Sequence, residues 1–316
     1  MRALLLLCGC LGCGGPITPA PALYAHGPPP SLQALDAGTL RITALAIGQG
    51  DATLVEFPDG TTLLIDGGPP GSLPILEEAL ATRQIDRPDY TLATHYDLDH
   101  IGGLVEYLIG PDATPATADD RLPRIACFDR GAPAETPATW SSKTYLTIRS
   151  GCTHTLTAGE TLPIGGAALT LLAVNGTFAD GTQIAIDPDD ENAHSMVLQV
   201  TYGATTYLHM GDLPGGGGIP PYQTINLESP LAPLAGDVDV LHVSHHGSRT
   251  ATNDTLLVLT TPDTAIISVG PNNDFGHPHA EVLARLKKHG IAIFTTLTHH
   301  IVSESNGATI TEEFSL

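Results

Sequence analysis

Short apolar runs alternate with turn-forming polar segments along most of the chain. Runs rich in Val, Ile, Leu and Thr are typical of buried strands. Those with this character are LRITALAI, ATLVEF, TTLLID, YTLATH, AALTLLAV, SMVLQVTY, TTYLHM, VDVLHVS and TAIISVG. Apolar spacing predicts helices over 73–83, over 252–260 and from about Ala280 to His289, with further strands near 291–303. Because strands and helices alternate in two similar halves, we predict an α/β sandwich with helices outside two sheets.

The first residues have the character of an export signal. Residues 1–15, MRALLLLCGCLGCGG, place a basic residue before a short apolar run that cannot span a bilayer. Cys10 is the candidate for lipidation, with Cys13 as the weaker alternative and an uncleaved N-terminus as the other interpretation. Residues 16–38 are rich in Pro and Gly and predict a linker, and residues 39–316 are expected to form the folded domain. We therefore expect an exported protein of the bacterial periplasm or cell surface, tethered through its N-terminal lipid.

Residues 111–165 show no clear periodicity, and Pro, Thr, Ala and Asp dominate their first part. We interpret this segment as an insertion in the domain. It holds Cys127 and Cys152, which are the cysteines outside the N-terminal segment. An exported domain favours a disulfide between them, and two free buried thiols are the alternative.

The net charge of the chain disfavours polyanions as stable binding partners. There are 34 acidic residues against 13 Lys and Arg, which gives a formal net charge of −21. Such a surface repels nucleic acid at long range, so a stable nucleic-acid complex is not expected. A polyanionic substrate would need local attraction, for example from bound cations. The other interpretation of this charge is solubility or adaptation to salty surroundings.

The densest group of polar side chains lies in THYDLDHIGG, which contains His95, Asp97, Asp99 and His100. Side chains alternate along an extended segment, so the first three are expected to point the same way. A turn into a helix that starts near Gly102 would let the second histidine converge with them. Carboxylates gathered in this way repel each other unless a cation lies among them. The stretch therefore predicts a metal site, with solvated loop charges as the alternative.

Further potential ligands stand at other strand ends beside glycine or small residues, where α/β folds build their sites. They are Asp66, His194, Asp212, His245 and His246. Their repetition at strand ends supports one shared site. By contrast, His209 and His242 lie inside apolar strands, and we interpret them as structural residues of the core.

These residues lie in motifs that resemble the metallo-β-lactamase fold superfamily, and within it the hydrolase domain of the ComEC-type competence proteins and their free-standing relatives. The matching pieces, in the family's order over residues 47–286, are IGQGDATLVE, LLIDGG, THYDLDHIGG, HMGDL, VDVLHVSHHGS and AIISVGPNNDFGHPHAEVLARL. The resemblance implies a four-layer αβ/βα sandwich. It also implies a binuclear metal-dependent hydrolase, most simply a phosphodiesterase or nuclease-like enzyme that uses a metal-bound hydroxide.

The resemblance further implies a ligand assignment. The ligands of one cation would be His95, Asp97 and His194. Those of the second would be Asp99, His100 and His246, with Asp212 bridging both. His246 is preferred to His245 because the superfamily's last ligand commonly stands directly before glycine, and His245 would then face the substrate. Asp66 would orient the ligand loop by contacting a ligand. His194 is a departure, since relatives often carry asparagine around that place.

Asp97 stands where many members of the superfamily have an imidazole. A carboxylate is a harder ligand, so two divalent cations are expected, with Zn²⁺ first and Mn²⁺ or Mg²⁺ as alternatives. Two cations that share a water lower its pKa and stabilise oxyanion charge on the substrate. Asp99 could also accept a proton from that water.

His277, in FGHPHAEV, precedes a proline and a predicted helix. We interpret it as a phosphate-binding residue or as the acid for the leaving group, helped by Ser248 and the helix start, with a structural histidine as the alternative. The expected substrate is a phosphodiester or another ester. The rival functions are a lactonase or β-lactamase-type acyl hydrolase and a metal-stabilised envelope protein without turnover.

Overall fold

The computed structural model describes residues 38–131, 139–218, 220 and 223–315. The predicted signal at 1–15 with Cys10, and the linker at 16–38 apart from Gly38, lie outside the described residues, so both stay predictions. Among the helices that are described, none has the length and apolar character needed to cross a bilayer.

The first sheet is formed by both ends of the described chain. Its strands are β1 (Leu40–Ala44), β2 (Ala52–Glu56), β3 (Thr62–Asp66), β4 (Tyr90–Ala93), β5 (Ala126–Asp129), β14 (His300–Ser305) and β15 (Ile310–Ser315). Their spatial order is β15-β14-β1-β2-β3-β4-β5. β3 pairs with β4 in parallel, with Ile65 opposite Leu92. The carboxyl ends of these two strands therefore lie side by side, which brings Asp66 next to the THYDLDHIGG stretch.

The second sheet is formed by the middle and later part of the chain. Its strands are β6 (Thr161–Ile164), β7 (Ala167–Val174), β8 (Thr177–Phe178), β9 (Val197–Tyr202), β10 (Thr205–His209), β11 (Val240–His242), β12 (Thr264–Ile267) and β13 (Ala292–Thr295). The order is β13-β12-β11-β10-β9-β7-β6, and β8 pairs with β7. β10, β11, β12 and β13 are parallel neighbours. Asp212 and His246, which follow β10 and β11, therefore reach the same sheet edge.

Helices cover the outer face of each sheet. They are α1 (Leu73–Thr82), α2 (Leu98–Leu108), α3 (Trp140–Arg149), α4 (Glu228–Ala235), α5 (Asp254–Thr260) and α6 (Ala280–Lys288). Side chains of α1, α2 and α3 pack on the first sheet, and those of α4, α5 and α6 pack on the second. A third apolar cluster lies between the sheets. The predicted four-layer αβ/βα sandwich is confirmed.

Strand β3 shows how the apolar pattern builds these layers. Leu63 and Ile65 belong to the cluster between the sheets, whereas Leu64 belongs to the cluster under the helices. Successive side chains of a strand point to opposite faces, so a continuous apolar run is what a strand covered on both faces requires. Each of these side chains is at most 1% exposed, and burying one contributes about 1.5–3 kcal/mol.

Residues 111–165, expected as an insertion, supply elements to both sheets. They contain the edge strands β5 and β6 and the helix α3. Cys127 in β5 and Cys152 after α3 form a disulfide with a sequence separation of 25. In the chain-entropy model, closing a loop of this length stabilises the fold by about 3–4 kcal/mol. The sequence did not predict α3, because its Ser and Thr residues are weak helix formers. The Thr139 side chain caps this helix by accepting a hydrogen bond from Ser142 N at 3.1 Å.

The glycine pair in THYDLDHIGG allows α2 to pack closely against the turn after β3. Gly103 N donates to Gly68 O at 2.8 Å, and Gly67 N donates to His100 O at 2.7 Å. A Cβ placed on Gly103 would overlap the carbonyl oxygen of Gly67 and lie 2.8 Å from the Cβ of Ser72. Neither atom is at the end of a flexible side chain, so only a shift of the helix would make room.

We expect Gly103→Ala to destabilise the protein by about 1–3 kcal/mol, because the added methyl group overpacks a backbone contact. Thermal unfolding followed by circular dichroism would measure the loss. Gly151→Ala is the matched control: its φ is not positive, and the nearest atom is the end of the Leu122 side chain at 3.2 Å. Equal melting temperatures for the two variants would contradict this account of the packing.

Candidate metal centre

Polar side chains converge where four strands of the two sheets end. β3 ends at Asp66, and β4 leads directly into His95. In the second sheet, β10 is followed by Asp212, and β11 is followed by a 3-10 turn over Ser244–Gly247 that contains His246. Parallel pairing within each sheet and the packing of the sheets on each other place these ends at one edge. This is the edge that the sequence predicted for the site.

The ligand stretch is helical earlier than we expected. The helix α2 starts at Leu98 and not near Gly102, with Asp97 as an extended N-cap at φ −67° and ψ 149°. Ile101 N donates to Asp97 O at 3.0 Å, which closes the first helical turn. Asp99 and His100 therefore belong to this turn, and the expected alternation of side chains stops at Asp97.

Three buried histidines each have one ring nitrogen fixed and the other without a hydrogen bond. They are His95, His100 and His246, and each is at most 3% exposed. Their Nδ1 atoms lie, in that order, 3.1 Å from Thr94 Oγ1, 2.7 Å from Asp66 Oδ2 and 2.9 Å from Ser268 O. Their Nε2 atoms have no hydrogen-bond partner. When Nδ1 donates its proton to a fixed oxygen, the lone pair of Nε2 is free to bind a metal ion. Proteins orient metal-binding histidines in this way.

Two carboxylates face these free nitrogens. Asp212 places Oδ1 3.3 Å from His100 Nε2 and Oδ2 3.5 Å from His246 Nε2. Asp99 Oδ2 lies 3.3 Å from His246 Nε2. Two groups of potential ligands result, each with its ligand atoms within 4.8 Å of one another. They are His95, His100 and Asp212, and Asp99, His100 and His246.

The structure assembles the two predicted ligand sets to different extents. Asp99, His100 and His246 form one group, with Asp212 beside it. In the other set, His95 Nε2 lies 3.6 Å from Asp97 Oδ2, and the Asp97 side chain is 43% exposed. His194 ends the 3-10 turn Glu191–His194 and is outside both groups.

His245 occupies a different position from its neighbour His246. Its side chain is 23% exposed, and its Nε2 lies 3.8 Å from Asp212 Oδ2. Both histidines have left-handed backbones, with φ of 50° and 53°, and Asp66 has φ 55°. Residues other than glycine rarely adopt this conformation unless their surroundings enforce it, and such residues concentrate at functional sites.

His277 lies at the open side of the centre. Its ring centroid is 5.6 Å from that of His245 and 6.2 Å from that of His246. Phe275, which is 65% exposed, stacks on it at 5.6 Å. Ser248 is less accessible: it is 5% exposed, and its Oγ is 2.8 Å from Thr250 Oγ1. Ser248 therefore supports the loop after His246 through Thr250, whose Oγ1 lies 3.5 Å from His245 Nδ1.

A buried ion pair that the sequence did not indicate holds the neighbouring loops. Arg130 makes two 2.6 Å contacts with Glu191, and Glu191 Oε1 accepts from Tyr96 N at 2.7 Å. Asn175 donates to Arg130 O at 2.6 Å and contacts His194 Nδ1 at 2.7 Å. These bonds tie the His194 turn to the ligand loop. In the sequence, the one indication of this ion pair was an arginine that directly follows a strand in a chain with few basic residues.

Charge coupling in the centre shifts the pKa values of the ligand residues. Burial opposes ionisation of Asp99, but the imidazoles of His246 and His100 lower its pKa to about 2. Burial opposes protonation of His246, but Asp212 and Asp99 raise its pKa to about 9. The pKa of His100 is raised well above its usual value, since Asp212 and Asp66 outweigh burial. The buried carboxylates thus need positive charge, which protons supply when no cation does.

The donor set fits divalent cations. Imidazole nitrogen and carboxylate oxygen are ligands of Zn²⁺, and the proportion of carboxylate also suits Mn²⁺ or Mg²⁺. The buried Nε2 atoms of His95, His100 and His246 lack hydrogen bonds, and such orphaned polar atoms are costly unless a ligand satisfies them. A cation among them would satisfy the nitrogens and neutralise Asp99 and Asp212 together.

Comparison with known proteins agrees with the fold. Residues 45–124 match the Metallo-beta-lactamase superfamily. This match includes the ligand stretch and the carboxylate that orients it. The chain is thus similar to this superfamily over these residues, as the motifs in its sequence implied, and the part that the structure describes contains candidate metal-ligand clusters.

The relatives found are of the ComEC type, as the resemblance implied. ComE operon protein 3 of Bacillus subtilis (strain 168) is 27% identical over 280 residues, which cover 81% of this chain and 31% of the relative. Recombination protein 2 of Haemophilus influenzae is 28% identical over 269 residues, or 82% of this chain and 28% of the relative. The chain thus spans less than a third of either protein. Among solved structures, the metallo-beta-lactamase fold protein YhfI from Bacillus subtilis has 13% identity and a TM-score of 0.47, and the match covers 81% of this chain and 96% of YhfI.

We expect Asp66→Asn to weaken metal binding by about 10- to 100-fold, which is the usual effect of removing a carboxylate that orients a metal-binding histidine. Its Oδ2 fixes Nδ1 of His100 at 2.7 Å, and His100 belongs to both ligand groups. Competition with a chromophoric chelator would measure the affinity. Asp59→Asn is the control, because Asp59 caps an exposed turn by accepting from Thr61 N. Unchanged affinity in the Asp66 variant would contradict the role.

We expect metal affinity to rise with pH up to about 9. In the metal-free protein the pKa of His246 is raised from 6.5 to about 9 and that of His100 is also raised, so both are protonated at neutral pH. A cation must displace these protons. The raised pKa values also stabilise the metal-free fold below pH 6.5, and this contribution is lost as the pH rises through about 9. Titration calorimetry in buffers of different ionisation enthalpy would count the released protons, and zero release at pH 7 would contradict the assignment.

Proposed function

We propose that the protein is a binuclear metal-dependent phosphodiesterase. The observation that carries the proposal is the pair of ligand groups that share His100; Asp212 belongs to one of them and faces His246 of the other. A single group of three ligands would hold one cation. Two adjoining groups support a pair of cations. The likeness to a relative named Recombination protein 2 supports a phosphodiester substrate, because recombination acts on DNA and the DNA backbone is a phosphodiester.

We assign one cation to Asp99, His100 and His246, and the other to His95 with Asp97, with Asp212 between them. Exposure supports this assignment. The side chains of Asp97 and Asp99 are 43% and 33% exposed, whereas those of His95 and His246 are at most 3% exposed. The imidazoles thus form the floor of the site, and these carboxylates form its solvent side. His194 is not needed for the assignment.

Two divalent cations at these positions would lower the pKa of a water and neutralise negative charge on the phosphoryl oxygens. The residues of the chain orient the substrate against them. The rings of His245 and His277 contact each other edge to face, with centroids 5.6 Å apart, and we assign both to binding phosphoryl oxygens. Phe275, exposed and stacked on His277, offers an apolar surface to the ester group.

His277 is better suited to bind phosphate than to act as the acid. Burial lowers its pKa, and so do the neighbouring imidazoles of His245 and His246, to about 3. A ring with this pKa is neutral at pH 7 and has no extra proton to deliver to a leaving group. Its N–H can still donate a hydrogen bond. Of the two roles that the sequence suggested, the proposal keeps phosphate binding.

The proposal also includes the location of the protein in the cell. The export signal at 1–15, with Cys10 as the lipidated residue, would place the enzyme outside the cytoplasm, where a Cys127–Cys152 disulfide persists. The net charge of −21 favours small phosphodiesters or single strands over stable binding of duplex DNA.

We expect Asp99→Ala to lower hydrolysis of bis-p-nitrophenyl phosphate by at least about 100-fold, because even indirect partners of a metal contribute 10- to 100-fold. The assay would use protein loaded with Zn²⁺, Mn²⁺ or Mg²⁺, with DNA as a second substrate. Asp112→Ala, in an exposed turn capped by Asp112 Oδ1, is the control.

The same assay separates the rival functions. Cleavage of lactone or β-lactam reporters without phosphodiester cleavage would replace the proposal with an acyl hydrolase. Stoichiometric metal without turnover of any reporter would indicate a metal-stabilised binding protein. In either case the proposed phosphodiesterase activity would be wrong, while the metal centre itself would stand.

A further inference from the structure

A third group of potential ligands lies inside the sandwich, next to the open centre but separate from its two groups. It consists of Asp51, His209 and His242, which are 3%, 1% and 1% exposed. His209 and His242 are the two histidines that the sequence assigned to the core, and they are indeed buried. Their ligand atoms and a carboxylate oxygen of Asp51 lie within 4.8 Å of one another. We propose that these three residues bind one structural Zn²⁺ ion that joins the two sheets.

The fold itself brings the three donors together. His209 ends β10 and His242 ends β11, and the two residues are directly opposite in the parallel pairing. Their rings therefore lie on the same face of the second sheet, with centroids 4.3 Å apart. Asp51 comes from the first sheet, immediately before β2. A shared ligand at this point would connect the sheets across the cluster that separates them.

The distances fit a zinc ion. Asp51 Oδ2 lies 3.1 Å from His242 Nε2 and 3.7 Å from His209 Nε2. With ligand bonds of about 2.0–2.1 Å, tetrahedral donors stand about 3.3–3.4 Å apart, so small movements would suffice. Ser268 Oγ, at 2.9 Å from His242 Nε2 and 3.3 Å from Asp51 Oδ1, covers the fourth side. The absence of an exposed position is typical of a structural zinc site.

The hydrogen bonds of the two rings support a cation at Nε2. Tyr207 Oη contacts His242 Nδ1 at 2.9 Å, which fixes that ring from behind. His209 Nε2 is buried and has no hydrogen-bond partner. Binding there requires the proton to sit on His209 Nδ1, so the long 3.3 Å bond from Gly211 N would be given up. Metal bonds would thus replace this long hydrogen bond and the contacts of His242 Nε2 with Ser268 Oγ and Asp51 Oδ2, and the cation would neutralise a buried carboxylate.

This site would also support the open metal centre. Asp51 N donates to Asp99 O at 3.1 Å, and Gly68 N donates to Asp51 O at 2.8 Å. The backbone of Asp51 therefore contacts both the first turn of α2 and the turn after Asp66. Fixing its side chain with a cation would hold these two ligand-bearing segments against the second sheet.

Zinc content per chain tests the inference. After loading with Zn²⁺ and removal of free metal, we expect three Zn²⁺ per chain in the wild-type protein and two in His209→Gln, measured by elemental analysis together with protein concentration. His154→Gln is the control, because the His154 side chain is 55% exposed and lies outside the three ligand groups. A folded His209→Gln protein with wild-type zinc content would overturn the proposal.

A second comparison covers the case in which His209→Gln does not fold. His95→Ala combined with His246→Ala removes one ligand from each group of the open centre, and one from each of the two cations assigned to it, and leaves the buried group intact. We expect this double variant to keep one Zn²⁺ and to melt at a lower temperature after chelation. A folded double variant without zinc would overturn the proposal. Loss of phosphodiesterase activity alone would not bear on it, since the count of buried zinc does not depend on turnover.

Discussion

A buried chain of alternating charges, from Asp66 through His100 to Asp212, is the interaction on which the site depends. The two carboxylates contact opposite nitrogens of one imidazole, at 2.7 and 3.3 Å. Asp66 ends a strand of the first sheet and Asp212 follows a strand of the second, so this imidazole connects both halves of the sandwich. The position of α2 follows from it, because His100 lies in the first turn of that helix. Few alternative arrangements could satisfy both carboxylates at a site that excludes water.

The need to satisfy these buried carboxylates also explains the unusual backbone around the centre. Asp66 and His246 both have positive φ, which costs of order 1–3 kcal/mol for each residue, and pairing buried carboxylates with imidazoles or cations offsets this strain.

The sequence predicted most of the fold because strands covered on both faces give continuous apolar runs. TTLLID, for example, became β3 with its side chains divided between two cores. It also indicated which strand ends carry candidate ligand residues, since a polar residue directly after a buried run lies at the sheet edge where α/β folds build their sites. The start of α2 was misplaced because His95, Asp97 and Asp99 were expected to alternate along an extended segment, whereas the helix begins at Leu98. Helix α3 was missed because a cap and tertiary contacts, not propensity, stabilise it.

What the sequence could not provide was the partner of each polar side chain. Arg130 and Glu191 are 61 residues apart, and no local pattern connects them. The histidines of β10 and β11 illustrate the same limit. In an apolar strand a lone histidine suggests a core residue, and each of these is buried as expected. Only the parallel register that sets them opposite each other, and the arrival of Asp51 from the other sheet, turn two core residues into a candidate ligand set.

The net charge of the protein affects how an anionic substrate approaches the metal centre. A net charge of −21 repels anionic substrates, and the solvent side of the site is itself formed by the carboxylates Asp97 and Asp99. Without cations, protons on His100 and His246 neutralise part of this charge, but these protons are buried and offer little to a phosphate outside. Two divalent cations at the same place would bring four positive charges in place of two, and would neutralise the carboxylates of the centre near His277. On the proposed function, metal loading would therefore decide whether an anionic ester can approach at all, before any effect on its cleavage.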